Sequence, residues 1–364
     1  FDVANSLRFN DGSSDYLTRS FGATQTSTAA FTISVWVKRS TLGTRQSIFA
    51  AYDGSSAGGD DLEFETDDTL SYNGSGAGAN TTSAKFRDVS AWYHIVLARN
   101  SGASGAANQV KIYVNGVLQS LSTNSGCNTS QFLKNGLNSR IGTNQGASQY
   151  WVDMYMSEFV AIDGQMLDAT SFGEFDSDSN IWKPIDVSGL TFGNNGFYLD
   201  FENSGALGND AAGSNNFTVN NLTAIDQSTD SCTNNSATWN PLFPSSGTTA
   251  FSEGNLKLVS SGTNGGSMSS FGVSSGKWYI EVKQTAVNEP LGNGESLIAV
   301  AGDPTGNLGN LSGVAPTGSA YYGIRNHNGT KFANDPSENS SANWHGNWTA
   351  GDIISIALDM DNNN

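Results

Sequence analysis

Apolar and polar residues alternate over short runs along much of the chain, which is the period-two pattern of β-strands. The clearest run is AWYHIVLAR (Ala91–Arg99). Both of its faces are mostly apolar, so it is predicted to lie inside a two-layer structure. A second run, Val110–Val114, leads into Asn115-Gly116, a pair that supplies the positive φ angles of a two-residue hairpin turn. With this turn, Val117 is predicted to pair with Val114, at the end of that run, and Leu121 with Val110, at its start.

Comparable alternating runs precede and follow this hairpin. They lie at Ser6–Asn10, Asp15–Phe21, Phe31–Ser40 and Ser47–Gly54, within Leu62–Asp88, and at Tyr150–Leu167. Turn residues separate them at short intervals, and the sequence has no long apolar stripe of helical period. The 42 glycines and the charged fraction of 14% agree with a turn-rich chain. We therefore predict an all-β fold that begins with an antiparallel β-sandwich over residues 1–180.

The alternating pattern weakens after residue 180 and returns after residue 247. Residues 181–247 are predicted to be a connector with one clear strand, Phe197–Phe201, and a polar, proline-containing end typical of linkers. Alternation resumes in GKWYIEVKQT (Gly276–Thr285) and again near the end of the chain, which predicts a second β-sandwich over 248–364. The last alternating run ends in turn residues with no following strand, so this second sandwich is expected to be incomplete.

The chain is strongly acidic, with 17 Lys and Arg against 34 Asp and Glu and a formal net charge of −17. Such a chain repels phosphate backbones, so nucleic acid is not an expected partner. The sequence also lacks an apolar run of membrane-spanning length, so no membrane insertion is expected. The acidic surplus favours solubility of a glycine-rich surface, and the alternative is Ca²⁺ binding by some carboxylates. Cys127 and Cys232 permit one disulfide but do not define it, and so few cysteines suit assembly in a reducing cytoplasm.

Two sets of residues are candidates for ligand binding. Three carboxylates bracket a glycine-rich loop and offer oxygen ligands for Ca²⁺: Asp53, Asp60 and Asp61. Aromatic and amide side chains near predicted loop ends could contact a sugar: Tyr52, Tyr72, Asn73, Tyr150 and Trp151. Solvated loop carboxylates are the alternative for the first set, and core or hairpin packing is the alternative for each member of the second.

Three segments resemble, in order and spacing, the laminin-G-like domains of the concanavalin A-like jelly-roll proteins: SLRFNDGSSDYLTRSF, FTISVWVKRS, and AWYHIVLARN with QVKIYVNGV. The resemblance covers about residues 1–180. It implies a two-sheet sandwich that often binds carbohydrate or protein, sometimes with one Ca²⁺ at a loop rim. In that family a strand similar to FYLDFEN precedes the SLRF-type strand, whereas here it follows the domain. We therefore predict that Phe197–Phe201 returns to the first sandwich or starts a small connector.

The resemblance to jelly-roll glucanases raises the possibility of catalysis, which the motifs do not favour. Glu63–Asp68 approaches the Glu-x-Asp-x-x-Glu strand of laminarinase-type glucanases, but residue types at two positions are swapped, and outward-facing carboxylates explain it. Gly54–Gly58 matches a nucleophile-elbow pattern without the helix that this motif needs. The three histidines, His94, His327 and His345, have no metal-ligand spacing. The protein is therefore expected not to be an enzyme.

The second half of the chain contains SSGKWYIEV, YYGIRNHNGTKF and WTAGDIISIALDMDN, which resemble the SPRY sandwich in the same order. The whole succession resembles large structural proteins of tailed bacteriophages. This implies a virion component, such as a tail fibre, adhesin or capsid-attached fibre, that attaches to host-surface glycans. It would be assembled in the host cytoplasm with other virion proteins as a homo-oligomer, most simply a trimer. The alternatives are a carbohydrate-binding surface or secreted bacterial protein and, less favoured, a polysaccharide-active enzyme.

Overall fold

The computed structural model describes residues 1–52, 59–144, 149–243, 248–261, 265–286, 296–302, 321–325, 331–333 and 348–362. The chain divides into two compact units. Unit 1 comprises Phe1–Pro241 with Phe251–Lys257, and unit 2 comprises Leu242–Ala250 with Leu258–Asn364. The described residues form many antiparallel strands and few short helices, which confirms the predicted all-β class. Gly54–Gly58, His327 and His345 lie outside the described residues.

Unit 1 is built from two eight-stranded sheets and one small strand pair. In chain order its strands are β1 (Ser6–Phe9), β2 (Tyr16–Ser20), β3 (Ala30–Arg39), β4 (Gln46–Tyr52), β5 (Gly59–Phe64), β6 (Thr69–Gly74), β7 (Gly78–Lys85), β8 (Tyr93–Asn100), β9 (Val110–Val114), β10 (Val117–Leu118), β11 (Leu121–Asn124), β12 (Asn138–Ile141), β13 (Met154–Asp163), β14 (Gly173–Phe175), β15 (Trp182–Pro184), β16 (Phe197–Leu199), β17 (Thr218–Asn220) and β18 (Gln227–Ser228). The short helices are α1 (Ala106–Gln109) and the 3-10 turns Asp11–Ser13, Ala169–Ser171 and Ala224–Asp226.

Sheet A has the order β10-β9-β8-β3-β13-β1-β18, with β16 also paired to β13, and sheet B has the order β11-β7-β6-β5-β4-β12-β2-β17. Their inward faces enclose one apolar core rich in aromatic rings. Phe49 lies at its centre, with ring centroids 4.6 Å from Phe132 and 5.6 Å from Phe159. Each such side chain stabilises the fold by about 1.5–3 kcal/mol through burial, so the core fixes which face of each strand points inward.

Sheet A is covered on its outer face as well, by the segment that contains Ala169–Val187. The buried His94 lies between Trp36 and Trp182, with ring centroids 4.7 and 5.9 Å away. The Trp182 indole N–H donates to His94 Nδ1 (2.9 Å), and Ser34 Oγ lies 2.8 Å from Nε2. Burial lowers the pKa of His94 to about 3, so the ring is neutral at physiological pH. His94 is thus a structural residue that joins the covering segment to sheet A.

The Asn115-Gly116 turn forms as predicted, with φ angles of 49° and 78°. Val117 pairs with Val114, but the pairing expected for Leu121 is wrong, because Leu121 pairs with Thr82 of sheet B. The chain leaves sheet A after β10 and continues along the edge of the opposite sheet. The hairpin therefore also serves as a crossover between the two sheets.

Residues beyond 180 contribute strands to both sheets. β16 pairs with β13 over Phe159–Ala161, β17 pairs with β2, and β18 pairs with β1. The boundary predicted at residue 180 therefore falls inside unit 1, and much of the predicted connector is part of the sandwich. Of these strands, alternation indicated β16, within the predicted strand Phe197–Phe201, whereas β17 and β18 have only two or three residues, too few for a clear period-two pattern. Cys127 and Cys232 are both unpaired.

The described part of unit 2 contains short antiparallel strands. They are β21 (Lys277–Lys283), β22 (Leu297–Ala301), β23 (Tyr321–Arg325), β24 (Lys331–Ala333) and β25 (Ile353–Asp359). β21 pairs with β25 along its whole length, and β22, β23 and β24 form a three-stranded sheet. A further pair, β19 (Thr248–Ser252) and β20 (Lys257–Ser261), has residues from both ranges of the division into units. Within the described residues, no helix is long and apolar enough to cross a membrane.

Gly116 provides a test of the packing of the covering segment. A Cβ atom at Gly116 would lie 2.4 Å from the Trp182 ring, whereas one at Gly43, which has a similar φ of +73°, would meet nothing within 4 Å. We expect Gly43→Ala to lower the free energy of unfolding by about 1 kcal/mol through its left-handed φ alone. Gly116→Ala should cost about 2 kcal/mol more through steric overlap. Urea unfolding measures both values, and equal costs would contradict the contact between Trp182 and the turn.

Glu158 makes the stability of unit 1 dependent on pH. It lies at an irregularity of β13 with φ +51° and accepts a hydrogen bond from the Tyr198 hydroxyl (2.6 Å). Burial, with the nearby Asp200 and Glu202, raises the pKa of Glu158 to about 7, against about 4.3 in an unfolded chain. The stabilisation from the bound proton is full below the unfolded pKa and disappears as the pH rises through 7.

Glu158→Gln keeps the acceptor for Tyr198 and removes the charge. We expect the variant to be more stable than the wild type at pH 8, by on the order of 2 kcal/mol, with the difference shrinking toward pH 5. Thermal unfolding over this pH range measures the effect, with the exposed Glu174→Gln as the control. A difference that does not change with pH would show that the charge of Glu158 is not responsible.

Candidate functional site

The outward face of sheet B is rich in polar, charged and aromatic side chains. The alternation of β5 places Leu62 and Phe64 in the core and Asp61 and Glu63 on the opposite side. The cross-strand register extends this outward set over six strands. We call this surface the outer face of sheet B. Its strand residues are Tyr16, Thr18, Ser47, Ala50, Tyr52, Asp61, Glu63, Ser71, Asn73, Asn138, Arg140, Thr218 and Asn220. We also include the adjacent residues Arg45, Asn144, Tyr150 and Trp151.

Arg45 organises one end of the outer face of sheet B. It forms a bidentate pair with Glu63, with 2.7 Å from Nε to Oε2 and a second, short contact through Nη2. Its guanidinium also lies 4.6 Å from the centre of the Tyr150 ring and 3.4 Å from Glu65. Asn73 donates to the other side of Glu63 through its amide. Glu63 is therefore fully buried beneath its own partners, and the Tyr150 ring is held at the rim of this cluster.

Asp61 lies beside Glu63 on the same side of β5. Its carboxylate accepts hydrogen bonds from Ser47 Oγ and from Asn144 Nδ2 (3.2 Å). Burial, followed by the charge of Glu63, raises the pKa of Asp61 well above its ordinary value. Burial also raises the pKa of Glu63, although Arg45 opposes this shift. The two carboxylates give this end of the face several oxygen acceptors at fixed positions on a rigid sheet.

Aromatic side chains define the other end of the outer face of sheet B. The Tyr16 and Trp151 rings are half-buried and tilted against each other, with centroids 5.7 Å apart. The Arg140 guanidinium lies 4.9 Å from the centre of the Tyr16 ring. Thr18 donates to Asn138 on the neighbouring strand. This end thus combines flat apolar surfaces with a cation and small polar groups.

The structure brings together four of the five residues predicted to contact a sugar and excludes one. Tyr150 and Asn73 contact the Arg45–Glu63 pair, Trp151 packs on Tyr16, and Tyr52 lies across from Asn138 on the same face. The prediction for Tyr72 is wrong, because its side chain is fully buried in the core between the sheets. Adjacent residues of a strand face opposite sides, so Asn73 and Tyr72 could not both lie on the outer face.

Of the three carboxylates predicted to bind Ca²⁺, the two that the structure describes, Asp60 and Asp61, face opposite sides of β5. Asp60 points inward and accepts hydrogen bonds from Ser75 N–H (2.8 Å), from Tyr72 Oη (3.2 Å) and from three groups of the loop Ser130–Phe132 (2.8–3.2 Å). Asp61 faces the opposite side, and Asp53 lies outside the described residues. In the part of the chain that the structure describes, no cluster of three or more His, Cys, Asp or Glu side chains could hold a metal ion. Calcium binding at this loop stays a prediction.

Sequence reasoning missed most of the outer face of sheet B, including the aromatic, basic and amide side chains of Tyr16, Arg45, Arg140 and Asn144. Tyr16 and Arg140 alternate with the buried Leu17 and Ile141, so strand parity alone could have placed them outward. Arg45 and Asn144 lie just outside regular strands and reach the face only through the fold. No pattern in the sequence links them to Glu63 or Asp61.

Residues 11–163 match a laminin-G family model described as the concanavalin A-like lectin/glucanases superfamily. This segment, which contains most of the outer face of sheet B, is therefore similar to the domains of that superfamily. No sequence among the curated proteins matches the chain.

Several solved structures are similar to this chain. One is described as a "putative carbohydrate binding protein" from Bacteroides ovatus, with 15% identity, a TM-score of 0.44, and coverage of 60% of this chain and 59% of that one. A SAP-like pentraxin from Limulus polyphemus has 17% identity, a TM-score of 0.35, and coverage of 46% and 79%. The NanB sialidase from Streptococcus pneumoniae has 12% identity, a TM-score of 0.34, and coverage of 48% and 29%. The chain thus spans less than two thirds of the Bacteroides protein.

Asp60 provides a test of how the loop beside the site is held. Asp60→Asn replaces one acceptor oxygen by an NH₂ group that faces donors of the 130–132 loop, which leaves buried N–H groups unpaired. We expect the free energy of unfolding to fall by about 3 kcal/mol. The control Asp67→Asn lies on an exposed turn of the same sheet and should cost less than about 1 kcal/mol. Urea unfolding distinguishes the two, and similar small costs would contradict the structural role of Asp60.

Proposed function

We propose that the outer face of sheet B binds carbohydrate. The observation that supports this most directly is that one face of a rigid sheet has the Tyr16 and Trp151 rings at one end and the Tyr150 ring, with the polar groups of Asn73 and Asp61, at the other. A pyranose ring has flat C–H faces that pack on aromatic rings and equatorial hydroxyls that require donors and acceptors at its edge. Both kinds of surface are present within one continuous face of a lectin/glucanase-type domain.

We also propose that this face binds its ligand without cleaving it. Glycoside hydrolysis needs one carboxyl group to protonate the leaving oxygen and a second to act as nucleophile or base across the same bond. Here both candidate carboxylates are engaged by protein donors. Glu63 is held by Arg45 and Asn73, and Asp61 by Ser47 and Asn144. In this proposal, Asp61 accepts hydrogen bonds from sugar hydroxyls, and the buried Glu63 holds Arg45 in place.

Trp151 is the residue to test first. We expect Trp151→Ala to weaken binding of a glycan identified on an array by at least tenfold, or about 1.4 kcal/mol, since it removes one stacking surface. Isothermal titration gives the affinities, and circular dichroism confirms that the variant is folded. Tyr322→Ala is the matched control, because Tyr322 is 60% exposed in unit 2.

Either of two results would contradict this assignment. One is an equal effect of Trp151→Ala and Tyr322→Ala on binding. The other is a wild-type protein that binds no glycan on an array containing neutral and acidic saccharides. New reducing ends after incubation with the bound polysaccharide would instead contradict the proposal that the face does not cleave its ligand.

For the protein as a whole, we propose a virion structural component that attaches to host-surface glycans and acts outside the cell. This rests on the resemblance of the successive sequence segments to structural proteins of tailed bacteriophages. Weak sugar contacts on such a particle would be multiplied by avidity if the chain forms trimers. Immunogold labelling of purified particles and of host cells separates this proposal from a bacterial surface or secreted lectin, and native mass spectrometry tests the trimer.

A further inference from the structure

Arg140 differs from the other arginines of unit 1. Arg8, Arg39, Arg45 and Arg87 pair with carboxylates, and Arg19 and Arg99 donate to carbonyl oxygens of nearby loops. Among the described residues, the Arg140 guanidinium has neither an ion-pair partner nor a hydrogen-bond acceptor. Its Nε is buried and unpaired, as is the Nε of Arg8, Arg19, Arg39 and Arg99, so the difference lies in the terminal nitrogens of the guanidinium. In a chain with twice as many acidic as basic residues, such a cation is unusual.

The position of Arg140 leaves room for a ligand. It lies in β12, between β4 and β2, where its cross-strand neighbours are Ala50 and Thr18. Ala50 has only a methyl group, so no long side chain covers Arg140 from that strand. Tyr16 supports the guanidinium from one side through a cation–π contact. The half-buried guanidinium is therefore held in place before any ligand arrives.

A carboxylate two strands away from Arg140 on the same face is already engaged by other side chains. Asp61 is the cross-strand partner of Ala50 on β5, but its carboxylate is occupied by Ser47 and Asn144. A partly desolvated cation without a counter-charge costs free energy, which an incoming anion offsets. The planar fork of a guanidinium matches the two oxygens of a carboxylate or sulfate group. Arg140 thus has the geometry of an anion-binding residue.

We propose that the outer face of sheet B binds an acidic saccharide whose anionic group, a carboxylate or a sulfate ester, lies on Arg140. The inference rests on the proposed carbohydrate binding and adds the class of ligand. Trp151 and Tyr16 stack on the ring that bears the anion, and Thr18 and Asn138 lie beside it. The sugar unit toward Asp61 and Glu63 is uncharged, because a second anion there would face two carboxylates.

Three oligosaccharides of similar length test the proposal by isothermal titration: a galactan, an oligogalacturonate and a sulfated galactan. The wild type should bind one of the two acidic ligands at least tenfold more tightly than the neutral one, and the better ligand identifies the anion as carboxylate or sulfate. Arg140→Gln should remove that advantage, because it should weaken binding of the acidic ligand at least tenfold more than binding of the galactan. Lys111→Gln, which removes a positive charge on sheet A, should leave all three affinities unchanged.

Arg140→Lys keeps the charge but loses the planar fork, and we expect it to retain only part of the advantage. If Arg140→Gln does not fold, Arg140→Lys serves as the test variant in its place. Galactan binding without tighter acidic binding would refute the role of Arg140 and leave the proposed carbohydrate binding intact. An equal loss for neutral and acidic ligands in Arg140→Gln would also refute it. Failure of both acidic ligands to bind the wild type would refute the acidic-saccharide proposal, whereas the glycan array decides separately whether the face binds carbohydrate.

Discussion

The two sheets are connected by long loops, and the polar backbone groups that these loops bury must find partners inside the fold. Buried aspartates provide many of those partners. Asp60 accepts from the 130–132 loop, Asp163 from the N–H groups of residues 26, 27 and 195, and Asp210 from those of 198, 212 and 215. Asp230 accepts from Lys38 and from the Trp92 indole. Loop positions, and hence the surfaces that loops build, depend on these carboxylates.

The two sheets differ in how their outer faces are covered, because the segments that buried side chains hold in place pack on sheet A. Sheet A is covered on both faces, because the segment around Trp182 and the segment around Asp230 pack on its outer side. Its outer face is consequently apolar and closed, and His94 is neutral there. Sheet B is covered on its inner face by the core, and its outer side chains are mostly polar, some of them buried, as Glu63 is, and others half-buried, as Tyr16, Arg140 and Trp151 are. Of the two sheets, sheet B is therefore the one that can present a binding face.

Electrostatics divides the outer face of sheet B into two ends. At one end, Arg45 offsets the charge of Glu63, so two neighbouring acidic residues can share a strand. At the other end, Arg140 faces an aromatic ring and has no counter-charge among the described residues. A saccharide with one charged unit fits this asymmetry better than a uniformly charged polymer. The chain is strongly acidic, which by itself indicates only solubility. The candidate site differs, because it contains the basic residue Arg140.

The sequence alone determined the all-β class, the long strands of the first sandwich and the Asn115-Gly116 turn, because period-two patterns and turn propensities are local. It also selected Tyr150, Trp151 and Asn73 as surface candidates. Only the tertiary structure decided which face of each strand is buried, because the inner face is the one that packs against the opposite sheet. Asp60 and Tyr72 are internal, whereas Asp61 and Asn73 face outward. The pairing of the short strands after residue 180 and the surroundings of the half-buried Arg140 depend on long-range contacts, which no local pattern encodes.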